Sequence, residues 1–170
     1  MTRVLVVGLR AGKTTFIQAL KSFKLTGQPA NLKELPNPLP TNGVQNDRFS
    51  DMQFRECGSG MLSQWMKYVE DCDAIVYVVN PSAVSMIPDV YTHLLGIAGN
   101  EHVQRNGMKR FIVMLRHSDI DVIETQNLLM LDFSQQGGCR VKPTQPLWTA
   151  LNIDISSGES LENFFSKIES

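Results

Sequence analysis

The chain has 170 residues, and its 16 basic and 17 acidic side chains give a net charge of −1 at pH 7. This length fits one domain with a sizeable core, and the balanced charge does not favour a nucleic-acid-binding protein. No apolar run approaches the roughly 20 residues that span a bilayer, and no secretory leader or N-myristoylation pattern is present. The three cysteines lack metal-ligand spacing. We therefore expect a single cytoplasmic domain, residues 1–170, with reduced thiols and no intrinsic membrane anchor.

The N-terminal residues predict a strand, a glycine-bounded turn and a helix. Residues 4–7 form an apolar run typical of a buried strand, and Gly8 ends it. A helical pattern of apolar side chains then starts at Gly12, Lys13 and Thr14. Backbone N–H groups at a helix start point at an anion, and the helix dipole favours negative charge there. The segment therefore predicts a phosphate-binding loop in which Lys13 reaches the terminal phosphates and Thr14 holds Mg²⁺.

This loop is shorter than the usual pattern, because Gly8 and Gly12 enclose only Leu9, Arg10 and Ala11. The usual loop has four residues between its glycines. One missing residue removes up to about 3.5 Å of chain and one backbone donor. A glycine-rich turn that binds no nucleotide is therefore an alternative. Arg10 is expected either to add positive charge near the phosphates, to fill the space left by the deletion, or to face solvent.

Apolar strands and amphipathic helices alternate along the rest of the chain. Residues 25–46 contain four prolines, which exclude a helix and any central strand. Residues 49–56 predict one or two strands, and residues 61–69 predict a helix. Three buried strands and three helices are predicted at 74–79, 111–115 and 146–153 and at 90–103, 121–135 and 161–168. This order predicts an α/β protein with a mostly parallel, doubly wound sheet and helices on both faces.

Ligands of such a sheet bind beyond the carboxyl ends of the strands. Glycine and polar residues follow four of the predicted strands, at 8–14, 56–60, 116–119 and 156–157. We expect these four segments to form one site.

The motifs in these segments resemble those of the small GTPases, and within them the Arf-like branch, over essentially the whole chain. Pro40-Thr41-Asn42-Gly43 resembles the Pro-Thr-x-Gly of the first switch. Glu56-Cys57-Gly58-Ser59-Gly60 stands where the family has Asp-x-Gly-Gly-Gln, the second switch. Arg116-His117-Ser118-Asp119 stands where Asn-Lys-x-Asp reads guanine, and Ser156-Ser157 takes the place of the Ser-Ala loop. The chain starts at the first strand, and Trp65 stands where Arf relatives carry a Trp. Both features are similar to those of an atypical Arf-like branch.

The resemblance implies a P-loop NTPase small G domain that binds GTP or GDP with Mg²⁺. It implies nucleotide contacts by fourteen residues, namely Arg10, Ala11, Gly12, Lys13, Thr14, Thr15, Thr41, Gly58, Ser59, Arg116, His117, Asp119, Ser156 and Ser157. The implied metal ligands are Thr14, Thr41 and Glu56. A protein effector is expected at the switch regions and the Trp65 helix, together with exchange or activating factors. A role in intracellular or ciliary trafficking follows from the resemblance alone.

Several positions depart from the family pattern. Gly60 stands in place of the Gln that orients the attacking water, so no catalytic residue is assigned and at most a slow GTPase is expected. Gln64 is either a substitute for that Gln or a solvated residue. Glu56 either steadies a Mg²⁺-bound water or caps the next turn. Arg116 cannot accept hydrogen bonds as Asn does, and Asp119 either accepts from guanine or N-caps the following helix.

Two other functions are consistent with the same residues. A pseudo-GTPase would keep the fold as an interaction module without a nucleotide cycle, which the shortened loop and Gly60 favour. A phosphate-loop kinase for a small molecule is the second, although the sequence has no Arg-rich lid segment. Trp65 and Trp148 are expected to be partly buried, and His93 and His102 are expected on different faces of one helix, which argues against a metal site.

Overall fold

The computed structural model describes residues 1–31, 33, 35, 38–105, 107–115 and 148–170. Six of the described segments are strands, namely β1 (Thr2–Val7), β2 (Val44–Phe49), β3 (Met52–Cys57), β4 (Ala74–Val79), β5 (Lys109–Leu115) and β6 (Thr149–Ile153). They form one sheet in the order β2-β3-β1-β4-β5-β6. β1 therefore lies near the centre, and the residues that follow it lie at the middle of one sheet end.

The sheet is parallel except at one edge. β1 pairs in parallel with β3 and with β4, so that Val4 lies opposite both Phe54 and Ala74. β2 pairs antiparallel with β3 through a tight turn at Ser50, whose φ is 54°. All six residues of β4 are buried, as expected for a parallel strand with helices on both faces. The predicted mostly parallel, doubly wound sheet is confirmed.

Five helices cover the described part of the sheet, namely α1 (Lys13–Thr26), α2 (Trp65–Val69), α3 (Ile87–Ala98), α4 (Glu101–Arg105) and α5 (Gly158–Glu169). On one face, α1 and α5 pack together through Phe16 and Phe164, whose ring centroids are 5.1 Å apart. On the other face, Trp65 of α2 and Leu94 of α3 pack against alternate residues of β1, β4 and β5. None of the described helices is long and apolar enough to cross a membrane.

The predicted single helix over residues 90–103 is wrong, because two helices occupy this region. α3 ends before Gly99, and the Asn100 side chain accepts hydrogen bonds from the backbone N–H groups of His102 and Val103 at 2.9 and 3.3 Å. Asn100 therefore starts α4 as its N-cap. His93 and His102 consequently lie on separate helices.

Other element boundaries also differ from the predictions. The predicted helix over residues 61–69 is a 3₁₀ turn, Ser59–Gln64, followed by the short α2. The predicted irregular stretch of residues 25–46 is shortened at both ends, by α1 and by the edge strand β2. The predicted helix at 121–135 lies outside the described residues.

Four buried side chains complete this picture of the core. Trp65 and Trp148 are each only 2% exposed, so the prediction of partly buried aromatic residues is wrong. Cys57 and Cys72 are free thiols. Burial raises the pKa of Cys57 to about 11 and that of Cys72 to about 12, which makes both poor nucleophiles near neutral pH.

Candidate functional site

The turn between β1 and α1 has the shape of a phosphate-binding loop. Gly8 has a φ of 143°, and a Cβ there would lie 2.3 Å from the carbonyl oxygen of Val78 in the neighbouring strand. Only glycine fits this position. Gly12, at the start of α1, has a left-handed backbone with a φ of 78°, and Arg10 has a φ of 44°. The three-residue interval between the glycines is thus closed by left-handed turns at Arg10 and Gly12.

Lys13 is folded back onto its own loop. Its side chain is only 6% exposed, and Nζ donates a hydrogen bond of 2.7 Å to the carbonyl oxygen of Gly8. Burial lowers the pKa of Lys13, and the nearby Glu56 carboxylate opposes this shift. The lysine is therefore positioned along the inside of the loop, at the start of α1.

Three oxygen atoms from three separate segments meet beside this lysine. The hydroxyl groups of Thr14 and Thr41 donate to Oε1 of Glu56 at 2.8 and 2.9 Å. The two hydroxyl oxygens are 3.2 Å apart. Glu56 is 2% exposed, and its carboxylate accepts from the threonines instead of capping the next turn. We call these three side chains the oxygen triangle.

The segment that contains Thr41 also packs directly on Gly58. The N–H of Gly58 donates to the carbonyl oxygen of Gly43 at 2.8 Å. A Cβ at Gly58 would lie 2.1 Å from the carbonyl oxygen of Thr41, so this approach requires glycine. The indole N–H of Trp65 donates to the carbonyl oxygen of Gly58 at 3.2 Å, which ties the second segment to the core under α2.

The cleft between these segments has a volume of about 670 Å³. Eight of the predicted site residues line it, namely Arg10, Ala11, Gly12, Lys13, Thr14, Thr41, Glu56 and Ser59. Residues 38–40, Asn42 and Gly60 complete the wall. Two predicted residues, Thr15 and Gly58, are not part of the described wall, and the Gly58 N–H is engaged by Gly43.

The predicted base-binding residues are placed differently. Arg116, His117 and Asp119 lie outside the described residues. Ser156 and Ser157 follow β6 but do not line the described wall of the cleft. The N–H of Ser156 donates to Asp154 at 2.9 Å, and the hydroxyl of Ser157 accepts from the N–H of Ser160 as the N-cap of α5. These bonds shape the turn, and the contribution of the two serines to base binding stays a prediction.

The donor set of the oxygen triangle suits a hard cation. Among the described residues, no group of three or more His, Cys, Asp and Glu side chains is placed to hold a metal ion. The triangle instead combines one carboxylate with two hydroxyl groups, and Mg²⁺ prefers oxygen ligands of this kind, usually with one or two carboxylates and substrate phosphates. The residues therefore fit Mg²⁺ held together with a phosphate.

Sequence reasoning missed two contributions to the site. The bond from Trp65 to Gly58 was not predicted, because an indole N–H has no spacing rule that reveals its acceptor. Pro38 and Leu39 line the cleft, and the sequence indicated them only as part of a proline-rich stretch. Leu39 is 87% exposed.

Comparison with known proteins places the fold. No protein-family model matches the sequence, and no curated protein sequence matches it. The structure is similar to that of the Arl6 BBS3 small GTPase from Trypanosoma brucei, solved with the bound nucleotide analogue GppNp. The two chains are 19% identical, with a TM-score of 0.65 over 99% of this chain and 95% of the other. The chain therefore has the P-loop NTPase fold of the small GTPases.

Proposed function

We propose that the chain is an atypical Arf-like small GTP-binding protein, with motifs that resemble those of Arf-like protein sixteen. It would act as a nucleotide-dependent switch with weak GTP hydrolysis. The observation that carries the proposal is the oxygen triangle beside Lys13, which joins the phosphate loop to both switch segments. The nucleotide-bound state of the structural neighbour supports the same use of the cleft.

Each group in the cleft has a defined task in this proposal. The loop N–H groups and Lys13 bind the β- and γ-phosphates, and Lys13 exchanges its bond to Gly8 for a phosphate oxygen. Thr14, Thr41 and Glu56 would hold Mg²⁺, which would neutralise phosphate charge when bound. Arg10 adds a second positive charge at the mouth of the same loop.

Hydrolysis is expected to be slow because, among the described residues that line the cleft, Gly60 stands where a water-positioning side chain is expected. Gly60 lines the wall, and a Cβ added there would have nothing within 4 Å. Orientation of the attacking water by a Gln is a major part of catalysis in such proteins. Any efficient turnover would then need a group supplied by an activating protein.

An effector is proposed to bind over the switch segments. The buried Trp65 ring is unavailable for such a contact, so the apolar surface comes from exposed residues such as Leu39 and Leu62, which are 87% and 39% exposed. The effector, its regulators and a ciliary trafficking role are proposals that rest on the resemblance. A cytoplasmic location is a proposal that rests on the three cysteines, which lack metal-ligand spacing and are expected to be reduced.

The test is to identify the nucleotide that the purified protein carries. Denaturation should release stoichiometric GDP or GTP, and Mg·GTP should raise the melting temperature because it binds the native state. Lys13→Ala should abolish both effects. Lys67→Ala, which removes an exposed lysine of α2, should change neither.

A pseudo-GTPase is the second candidate, and two hydrogen bonds favour it. Lys13 and the Gly58 N–H are the groups expected to bind phosphate, yet both are paired with backbone carbonyl oxygens of the chain. An empty protein whose melting temperature is unchanged by millimolar Mg·GTP and Mg·ATP would refute the switch and support this alternative.

A further inference from the structure

We propose that Glu56 binds the divalent cation directly, and that the oxygen triangle holds a hard cation such as Mg²⁺ before any nucleotide binds. The family resemblance implies something different, namely an acidic residue that contacts the cation through a water. This inference deepens the proposed function, because it concerns the cation of the same site. It rests on that proposal only for the later role of the cation, which is to neutralise phosphate charge.

The spacing of the three oxygens carries the inference. Mg²⁺ binds its ligands at about 2.0–2.1 Å in a near-ideal octahedron, so neighbouring ligand oxygens lie roughly 2.8–3.0 Å apart. The oxygen triangle has sides of 2.8, 2.9 and 3.2 Å. The two sides at Glu56 match this spacing, and the side between the hydroxyl oxygens is slightly longer. Three oxygens from three chain segments thus come close to the dimensions of one octahedral face, with no room for a water between Glu56 and either hydroxyl.

The side chain length at position 56 explains why this geometry differs from the family pattern. An aspartate would be shorter by one methylene group, so its oxygens would end more than about 1 Å further from the threonines. That separation is too long for a direct hydrogen bond, so an aspartate would contact the cation through a water, as the resemblance implies. Glu56 removes that gap, and its Oε1 accepts directly from Thr14 and Thr41.

The charge around Glu56 also favours a cation. The carboxylate is 2% exposed, and a buried carboxylate is costly unless it is paired. In the part of the chain that the structure describes, Lys13 is the charged partner that acts on it, but Nζ of Lys13 donates to Gly8. Two neutral hydroxyl groups are the hydrogen-bond partners of Glu56. A divalent cation would supply the positive charge, and the hydroxyls would turn their lone pairs toward it without losing their protons.

The experiment uses Mn²⁺ as a probe on protein that has been stripped of nucleotide and metal. Electron paramagnetic resonance should show one bound Mn²⁺ per chain, displaced by Mg²⁺. Because six ligand positions minus three protein oxygens leave three, ¹⁷O-water broadening should count three coordinated waters. Glu56→Asp should bind at least about tenfold more weakly, since even outer-shell groups change metal affinity by about 10–100-fold, and should show a fourth water. Asp51→Asn, in the exposed β2–β3 turn, is the matched control and should bind as the wild type does.

Two results would overturn the inference. One is a folded wild-type protein that binds no Mn²⁺ without nucleotide, and the other is a count of four waters in the wild type. The water count needs only the wild-type protein, so the test holds even if Glu56→Asp fails to fold. Binding of Mg·GTP without binding of Mn²⁺ alone would refute this inference and leave the proposed function intact. Binding of Mn²⁺ without any nucleotide affinity would support this inference and refute the proposed function.

Discussion

The contact between the two switch segments can be tested by Gly58→Ala. The added Cβ would lie 2.1 Å from the carbonyl oxygen of Thr41 and 3.2 Å from the backbone N of Gly43. Both are backbone atoms, so no side chain can rotate away. The φ of Gly58 is −61°, which alanine adopts easily, so the effect is steric. The substitution should push the first switch segment away from the second.

The free energy that the closed arrangement would lose can be worked out from the hydrogen bonds that would break. Separation removes the hydrogen bond from Gly58 to Gly43 and the bond from Thr41 to Glu56. A neutral bond contributes about 0.5–1.5 kcal/mol and a bond to a charged group about 1.5–3 kcal/mol. The closed arrangement should lose about 2–4.5 kcal/mol, which shifts its opening equilibrium by roughly 30- to 2000-fold.

Hydrogen exchange at the amide of residue 58, which donates to the carbonyl oxygen of Gly43, measures this shift directly. Gly58→Ala should accelerate the exchange of this amide by the same factor when it exchanges from the open state. Gly60→Ala is the matched control, because a Cβ there meets nothing within 4 Å. The steric argument fails if Gly58→Ala leaves the amide of residue 58 as protected as in the wild type, or if Gly60→Ala exposes it equally.

Two further predictions concern stability. Burial lowers the pKa of His93, and Asp89 opposes this shift, while the His93 ring shares a hydrogen bond with Tyr77. As the pH falls, the unfolded chain therefore binds a proton at this histidine before the folded chain does. The contribution of neutral His93 to the free energy of unfolding is complete above a pH of about 6.5 and falls as the pH drops toward the folded pKa. Chemical denaturation at several pH values should show a weaker decline of this free energy in His93→Gln. Phe164→Ala removes a fully buried ring and should cost about 3–5 kcal/mol in urea unfolding, whereas Leu25→Ala, at a side chain 72% exposed, should stay within about 0.5 kcal/mol.

The sheet could be predicted because its central strands leave a strong hydrophobic signal. Residues 74–79 are apolar without interruption, and the strand has these bounds. Helix boundaries were less accessible to sequence reasoning. The apolar periodicity of residues 90–103 continues across Gly99 and Asn100, although the Asn100 side chain starts a new helix there. Periodicity reports which side chains are buried and not which backbone N–H groups are capped.

The candidate site could be predicted only in part. Lys13 and Thr14 follow from a local motif, and Thr41 and Glu56 from their place in the resemblance. The hydrogen bond from Gly58 to Gly43 could not be foreseen, because it depends on the packing of two segments that lie fifteen residues apart. The same is true of the bond between Lys13 and Gly8, which depends on the fold of a shortened loop.

These bonds set a condition on any switch in this chain. A ligand shifts a conformational equilibrium only by its difference in affinity for the two states. The bonds from Thr41 to Glu56 and from Gly58 to Gly43 stabilise the closed arrangement with atoms of the chain itself. A triphosphate therefore shifts the equilibrium between the closed and open arrangements only slightly, unless the diphosphate form breaks these bonds. A working switch should show faster amide exchange at Gly58 with GDP than with a GTP analogue, whereas equal exchange would mean that the segments do not report the nucleotide.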